Sequence, residues 1–180
     1  VGLVMATYSL TQLIAAPVWG RMSDRIGRRP VLLLTLGGAA ASYVWLGFVD
    51  SLAALFAARA IGGAMAGNIS AAFAYMADVT TKENRAKGMG LIGAAFGLGF
   101  IIGPAIGGLL AGADPATADY SLPAFAAAGL SLVALVLAVA ILKESLSEEI
   151  RARIAARPPE QRFQRFVQAF KTPKLGFLIF

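Results

Sequence analysis

The sequence contains no cysteine and no histidine among its 180 residues. The absence of cysteine excludes a disulfide framework, and the absence of both residues excludes a zinc-type ligand cluster and a Cys/His nucleophile pair. We therefore expect no metal site, no cofactor and no catalytic residue, and we do not expect an enzyme. Charged residues are also scarce, at 14% of the chain, whereas hydrophobic residues make up 58%. A water-soluble domain of this size has no core large enough for them, so the expected solvent is lipid.

Five hydrophobic stretches are long enough to cross a bilayer core of about 30 Å, which needs about 20 helical residues. They are too continuous for transmembrane strands, which alternate in segments of roughly ten residues. The sequence therefore predicts an all-α membrane protein with an amino-terminal transmembrane bundle over residues 1–142. The predicted spans are residues 1–19, 31–49, 52–77, 88–111 and 122–142.

The remaining residues form a different kind of segment. Apolar residues recur at helical spacing over residues 143–174, with an interruption at Pro158 and Pro159, which predicts an amphipathic interdomain linker at the membrane surface. Residues 175–180 resemble the first turns of a further span. Because neither a charged segment nor a methionine precedes the first span, we expect a fragment that lacks an upstream helix.

The basic residues indicate the orientation in the membrane. Fifteen of the sixteen Lys and Arg residues lie in three alternate segments, residues 20–30, 78–87 and 143–174. Short cytoplasmic loops carry such residues in excess, so these segments are expected to be cytoplasmic in a multi-pass protein of a bacterial inner membrane. The net charge of +6 is divided among loops that flank the bilayer, so we expect no nucleic-acid partner.

The first basic segment carries an ordered pattern rather than a simple excess of charge. It reads Gly, three residues, Asp, Arg, one residue, Gly, Arg, Arg, filled by Gly20, Asp24, Arg25, Gly27, Arg28 and Arg29. A basic loop alone would be explained as a topogenic anchor. The full pattern, however, resembles motif A of the major facilitator superfamily.

That resemblance implies a fold of two six-helix bundles with alternating access to a site between them. The chain would form a partial six-helix bundle of five complete transmembrane helices plus the start of another, facing a carboxy-terminal bundle that the chain lacks. Motif A would act as a cytoplasmic latch between the bundles. The resemblance also implies that Asp78 and Arg85 join the same charge network, although spacing alone favours two solvated charges.

A second pattern lies in the fourth span, at Gly99, Gly103, Pro104, Gly107 and Gly108. Glycines at four-residue spacing allow another helix to approach closely, and a proline inside a helix bends it. A bare repeat of small residues would indicate helix packing alone. The full pattern resembles motif C, which is associated with antiporters of the superfamily and implies a helix at the seam between bundles.

The third span contains Arg59 in a pattern that resembles motif B, with Gly62 at a position where a polar residue is common. A membrane-embedded arginine costs about 3 kcal/mol on insertion scales, so it usually faces a cavity or a partner. We expect Arg59 to tune the pKa of a proton-carrying carboxylate, the alternative being an anchor that snorkels to the surface. Gln12 and Asn68 are candidate substrate-cavity residues, or else interhelical hydrogen-bond donors.

Taken together, the motifs most resemble the tetracycline and multidrug exporter branch of the superfamily. This implies proton-coupled export of a small amphipathic compound such as a drug or antibiotic, with protons and that compound as partners. Ser42 occupies a position where tetracycline exporters usually carry an aspartate, which argues against a cationic metal-tetracycline substrate. The alternatives are a proton-coupled importer of sugars or organic acids, and a membrane sensor or scaffold that does not transport.

Overall fold

The computed structural model describes residues 2–112, 114 and 118–146. The helices in this part of the chain are α1 (Gly2–Ile26), α2 (Arg28–Gly47), α3 (Leu52–Ala66), α4 (Ile69–Val79), α5 (Arg85–Ala111) and α6 (Ser121–Ile141). Helices α3 and α4 together form one segment, so the described residues contain five segments long and apolar enough to cross a membrane. The predicted linker beyond residue 146 and the predicted next span lie outside the described residues.

The connection between α1 and α2 is much shorter than the sequence predicts. The first span was predicted to end at residue 19 and to be followed by a loop over residues 20–30, but α1 continues to Ile26 and α2 begins at Arg28. Gly27 alone separates the two helices, and its φ of 115° is a conformation that favours glycine. Helical backbone satisfies its own hydrogen bonds whether or not the side chains are polar, so α1 can leave the apolar region without unwinding.

The third span is broken at Gly67 and Asn68, between α3 and α4. Side chains of α1 donate hydrogen bonds to carbonyl oxygens at this break. The Trp19 indole donates to the Ala64 oxygen at 2.6 Å, and the Gln12 amide donates to the Ala66 oxygen at 3.4 Å. A break inside a membrane is tolerated only where neighbouring helices supply such partners, so α1 stabilises this interruption.

Helices α1 and α3 pack closely enough that their backbones almost touch. A Cβ atom placed on Gly63 would overlap the backbone oxygen of Tyr8 and the hydroxyl of Thr11. A Cβ atom on Gly67 would lie 2.9 Å from the backbone nitrogen of Ala16. Glycine at both positions is what permits this separation, as in other membrane helix pairs that associate through small residues.

Helix α5 has a different environment from the other helices. It is exposed along most of its length, and the side chains of Phe100, Ile101 and Leu109 are each more than 70% accessible. Cβ atoms placed on the motif C glycines would meet nothing within 4 Å in the described part of the chain. This apolar surface is therefore available to lipid or to another helix.

The turn that leads into α6 is organised by Asp119. The backbone N–H of Ser121 donates to the Asp119 carboxylate at 2.8 Å, and the Ser121 hydroxyl donates to the same oxygen. These two hydrogen bonds favour the ionised carboxylate and lower the pKa of Asp119 below its usual value. The helix thus begins at a charged turn that stays ionised at neutral pH.

Candidate functional site at the basic end of the bundle

One end of the bundle, which we call the basic end, holds the α1–α2 turn, the α4–α5 loop and the segment after α6. Side chains from these elements meet at Arg28, whose side chain is only 10% exposed. Its guanidinium donates to an Asp24 carboxylate oxygen at 2.6 Å and to the Ser23 hydroxyl at 2.7 Å. It also donates to an Asp78 carboxylate oxygen at 3.2 Å. Arg28 therefore joins a carboxylate of α1 to a carboxylate of α4.

The tight turn at Gly27 explains why these groups are close together. It places Arg28 four residues after Asp24 although the first helix has already ended, and α4 packs against both α1 and α2. The Asp24 and Asp78 side chains are 37% and 29% exposed. Charge-assisted hydrogen bonds of this kind are stronger than neutral ones. Removing either acid would leave the nearly buried cation less well paired, which is costly.

Glu144 belongs to the same site, although sequence reasoning did not single it out. One of its carboxylate oxygens accepts from the backbone N–H groups of Arg28 at 2.9 Å and Leu146 at 3.0 Å. The other oxygen accepts from the backbone N–H of Arg29 at 3.3 Å. An anion at the first N–H groups of a helix is favoured by the helix dipole. Glu144 therefore caps α2 from a segment more than a hundred residues away in the chain.

Ser145 adds a second contact between this segment and the cluster, because its hydroxyl donates to the Asp78 carboxylate at 3.2 Å. Arg29 extends the contact to α6, since its guanidinium donates to the Val139 carbonyl oxygen at 3.0 Å. We name the ensemble of Ser23, Asp24, Arg28, Arg29, Asp78, Glu144 and Ser145 the Arg28 cluster. It connects α1, α2 and α4 with the end of α6.

The other residues predicted near this end take different positions. Gly20 lies at a close approach to α4, where an added Cβ would be 3.2 Å from the Ser70 hydroxyl. The side chain of Arg25 is exposed. Arg85 was predicted to join the charge network together with Asp78, but its guanidinium donates to the Ala77 carbonyl oxygen at 3.0 Å. Asp78 thus joins the cluster through Arg28, and Arg85 contacts the backbone at the end of α4.

The predicted interior residues lie away from the Arg28 cluster. The Asn68 amide donates to the Thr35 hydroxyl of α2 at 2.7 Å, and the Gln12 amide donates to α3, so both make interhelical hydrogen bonds. The Nε atom of Arg59 is buried and has no hydrogen-bond partner among the described residues. The motif C residues lie apart from all of these on the exposed helix α5.

Comparison with known proteins decides the family. The model of the Major Facilitator Superfamily matches residues 1–180, which is the whole chain. The chain belongs to the Major Facilitator Superfamily. Its spanning segments are thus a partial six-helix bundle of the major facilitator fold.

Individual major facilitator proteins are similar over most of the chain. The tetracycline resistance protein, class B, of Escherichia coli is 35% identical over 179 residues, which are 99% of this chain and 43% of that protein. Multidrug resistance protein 2 of Bacillus subtilis (strain 168) is 38% identical over 163 residues, which are 90% of this chain and 40% of that protein. The chain therefore spans less than half the length of these relatives.

A solved major facilitator structure supports the fold independently. The crystal structure of the human organic anion transporter MFSD10 (TETRAN) superimposes with a TM-score of 0.72 at 37% sequence identity. The match covers 83% of this chain and 33% of the human chain. The bundle of this chain is therefore similar to part of a larger transporter.

Proposed function

We propose that the chain forms the first bundle of a secondary transporter that exports a small amphipathic compound in exchange for protons. In this proposal a second, carboxy-terminal bundle supplies the other half of the substrate site. The basic end faces the cytoplasm of a bacterial cell, because short cytoplasmic loops carry an excess of Lys and Arg. The protein lies in the inner membrane and threads the bilayer several times.

The observation that carries the proposal is the Arg28 cluster. A nearly buried guanidinium is shared between acids of two helices, and a third acid caps α2 from the segment after α6. Such contacts can be exchanged between partners when rigid bundles move, and this is how a small charge rearrangement selects between two packings. Asp24 and its arginine neighbours therefore act as the cytoplasmic latch, with Asp78 as a member of the latch and Arg85 beside it.

The exposed face of α5 supports the exporter assignment and a position at the seam. The motif C glycines, Gly99, Gly103 and Gly107, present a surface without side chains. Cβ atoms placed on them would meet nothing within 4 Å in the described residues. A helix of the second bundle can approach such a face closely. Pro104 and Gly108 complete the motif. In this proposal the α5 face closes the contact between the two bundles and is the place about which they move, and substrate binds elsewhere.

Arg59 supports proton coupling because it is a cation inside the membrane whose Nε atom has no acceptor among the described residues. Arginine cannot release a proton under physiological conditions, so it acts by lowering the pKa of a carboxylate that does. Asn68 and Gln12 lie at the break in the third span, where side chains can reach a central cavity. In this proposal Asn68 and Gln12 contact substrate by giving up the interhelical hydrogen bonds that they make in the structure.

The relatives suggest the kind of compound that is exported. Their names refer to tetracycline, to multiple drugs and to organic anions. At the position of the tetracycline exporters' aspartate, Ser42 is buried, and its hydroxyl donates to the Ala58 carbonyl oxygen at 2.9 Å. This site offers no carboxylate to a cationic metal chelate. We therefore favour an amphipathic drug that is recognised without a bound metal ion.

The proposal is tested in everted membrane vesicles that contain the full-length protein, with ethidium and tetracycline as trial substrates. Addition of a transported compound outside acid-loaded vesicles should make the lumen more alkaline, because protons leave as the compound enters. Acidification of the lumen would instead indicate a proton-coupled importer. An unchanged lumen with these and a wider panel of drugs would indicate a sensor or scaffold.

In the same assay, Asp24→Asn should reduce the maximal rate about tenfold or more and change the half-saturating concentration less than twofold. The reason is that the latch controls bundle movement and does not contact substrate. Asp50→Asn, an exposed acid between α2 and α3, is the matched control and should leave both values unchanged. A variant of Asp24 with normal rate and weaker apparent affinity would contradict the latch.

A further inference from the structure

Arg59 differs from every other charged residue of the described helices. The others lie within two turns of the basic end, whereas Arg59 lies seven residues from the first residue of α3, at the opposite end of the bundle. At 1.5 Å per residue this is about 10 Å along the helix. A guanidinium at such a depth is retained when it serves a partner or a cavity.

Tyr8 of α1 lies next to this position, and Tyr43 of α2 lies next to Tyr8. The Tyr8 phenol interacts electrostatically with the Tyr43 phenol and with the Arg59 guanidinium. The Tyr8 ring also lies against Gly62, where an added Cβ would be 3.7 Å from a ring carbon. Gly62 is three residues after Arg59 and therefore on the same face of α3. Helices α1, α2 and α3 thus bring Tyr8, Tyr43 and Arg59 to one place.

The contact between α2 and α3 fixes Tyr43 and Arg59 relative to each other. Ser42, the neighbour of Tyr43, donates its hydroxyl to the carbonyl oxygen of Ala58, the neighbour of Arg59, at 2.9 Å. Ser42 and Ala58 are 5% and 2% exposed. This buried hydrogen bond holds the two helices in register at the level of the tyrosines. The packed backbones of α2 and α3 thus support the positions of Tyr43 and Arg59.

The ion pairs that Arg28 makes with Asp24 and Asp78 lie at the basic end, away from this cluster. Every acid among the described residues lies in a loop or near the basic end, namely Asp24, Asp50, Asp78, Glu83, Asp114, Asp119 and Glu144. Arg59 has five N–H donors and no acceptor, and each phenol carries a single O–H donor, with the Tyr8 and Tyr43 phenols interacting with each other. The Nε atom of Arg59 is buried without a hydrogen-bond partner among the described residues. The three side chains therefore form a set of donors with one net positive charge.

We propose that Tyr8, Tyr43 and Arg59 form a binding site for the carboxylate of an amphipathic aromatic anion. A planar guanidinium matches a carboxylate with two parallel hydrogen bonds, and the phenols add donors and aromatic surface. The inference rests on the proposed export function and deepens it, because it assigns a substrate class, an amphipathic aromatic anion, to the proposed exporter. The apolar part of the ligand lies along the tyrosine rings.

The test measures binding of naphthoate and of the isosteric, uncharged naphthamide to the purified full-length protein in phosphatidylcholine nanodiscs, without a proton gradient. Wild-type protein should bind naphthoate at least tenfold more tightly than naphthamide. Arg59→Gln should weaken naphthoate binding about tenfold or more and leave naphthamide binding unchanged. Arg21→Gln, the same substitution at the exposed basic end, is the matched control and should retain wild-type binding.

Tyr43→Phe keeps the ring and removes one donor, and it should weaken naphthoate binding about threefold to fivefold even if Arg59→Gln does not fold. Equal binding of naphthoate and naphthamide, or wild-type binding in Arg59→Gln, would overturn the site. Displacement by inorganic phosphate as effective as displacement by naphthoate would also overturn it, in favour of a phosphate site.

The two proposals can fail separately. Proton-coupled export of ethidium without naphthoate binding would reject the anion site and retain the transporter. Naphthoate binding without substrate-dependent proton movement would retain the site and reject the exchange mechanism.

Discussion

Arg28 shares one guanidinium between two carboxylates, while its own backbone N–H donates to a third. The side chain is almost buried, and the acids that hold it are partly exposed. Water can therefore compete for the acids more readily than for the cation. This asymmetry suits a latch, because an acid can leave for another partner while the guanidinium remains satisfied by Ser23 and the other acid.

Glu144→Gln should lower the midpoint of thermal unfolding of the purified protein by about 2–4 °C. The substitution keeps the shape of the side chain but removes the negative charge from the N-terminus of α2, where the dipole favours an anion. The amide oxygen can still accept two of the three backbone hydrogen bonds, those from Arg28 and Leu146, so the effect should be partial. Tryptophan fluorescence during heating gives the midpoint.

The matched control for that measurement is Asp50→Asn, which removes an exposed acid at the other end of α2. It should leave the midpoint within about 1 °C of wild type. If Glu144→Gln melts at the same temperature as Asp50→Asn, the segment after α6 does not stabilise the basic end.

For single residues, the sequence predicts the Asp24 and Arg28 part of the Arg28 cluster but not the part that Glu144 contributes. The spacing of Gly27 between Asp24 and Arg28 is local, so a family pattern in the sequence could assign it. The partnership with Glu144 depends on how α6 returns to the first turn of α2, which local spacing does not encode. An acid at the start of a strongly basic segment was the available signal, but several other acids follow it.

Among the elements, the close packing of α1 on α3 and α4 determines where the interior residues lie. The break at Gly67 and Asn68 is held by donors from α1 and by the hydrogen bond from Asn68 to the buried Thr35 hydroxyl. The third span therefore consists of two short helices, α3 and α4, that pack against the long helix α1. Backbone groups at such a break are where membrane transporters often place polar sites.

Gly63→Ala should destabilise the bundle by about 1–3 kcal/mol, because the new methyl group would overlap the Tyr8 backbone oxygen and force α1 away from α3. Thermal unfolding in detergent measures the effect. Gly129→Ala on α6 is the matched control, since its Cβ would meet nothing within 4 Å in the described residues. It should be neutral or slightly stabilising, because alanine favours helix over glycine. Equal midpoints for the two variants would contradict the close α1–α3 contact.

The number and approximate position of the spanning segments follow from hydropathy, because length and apolar content are fixed by the bilayer. The positions of the helix ends do not follow from hydropathy. Helix α1 continues through Arg21 and Asp24 since helical hydrogen bonds form equally well outside the apolar region. The break between α3 and α4 is also invisible to hydropathy, because the whole segment Leu52–Val79 is apolar enough to cross a membrane despite Asn68. Packing against α1 determines it, and packing is a property of the assembled bundle.

For the molecule as a whole, the two ends of the bundle have different chemistry. The basic end is connected by the Arg28 cluster, whereas the opposite end carries the Tyr8, Tyr43 and Arg59 group and acidic turns. Helix α5 presents its glycine face outward along the length between them. A bundle with a charged cluster at one end and an exposed glycine face along one side is suited to rocking against a second bundle.

The central claim is that the polypeptide crosses the membrane repeatedly with the basic end in the cytoplasm. Because this chain contains no cysteine, single cysteines at exposed loop positions can be labelled without background from it. In intact cells, a membrane-impermeant maleimide should label Asp50→Cys and should label Lys82→Cys only after the cells are opened. Labelling of both positions from outside intact cells would contradict the topology, and with it the latch, the seam and the direction of export.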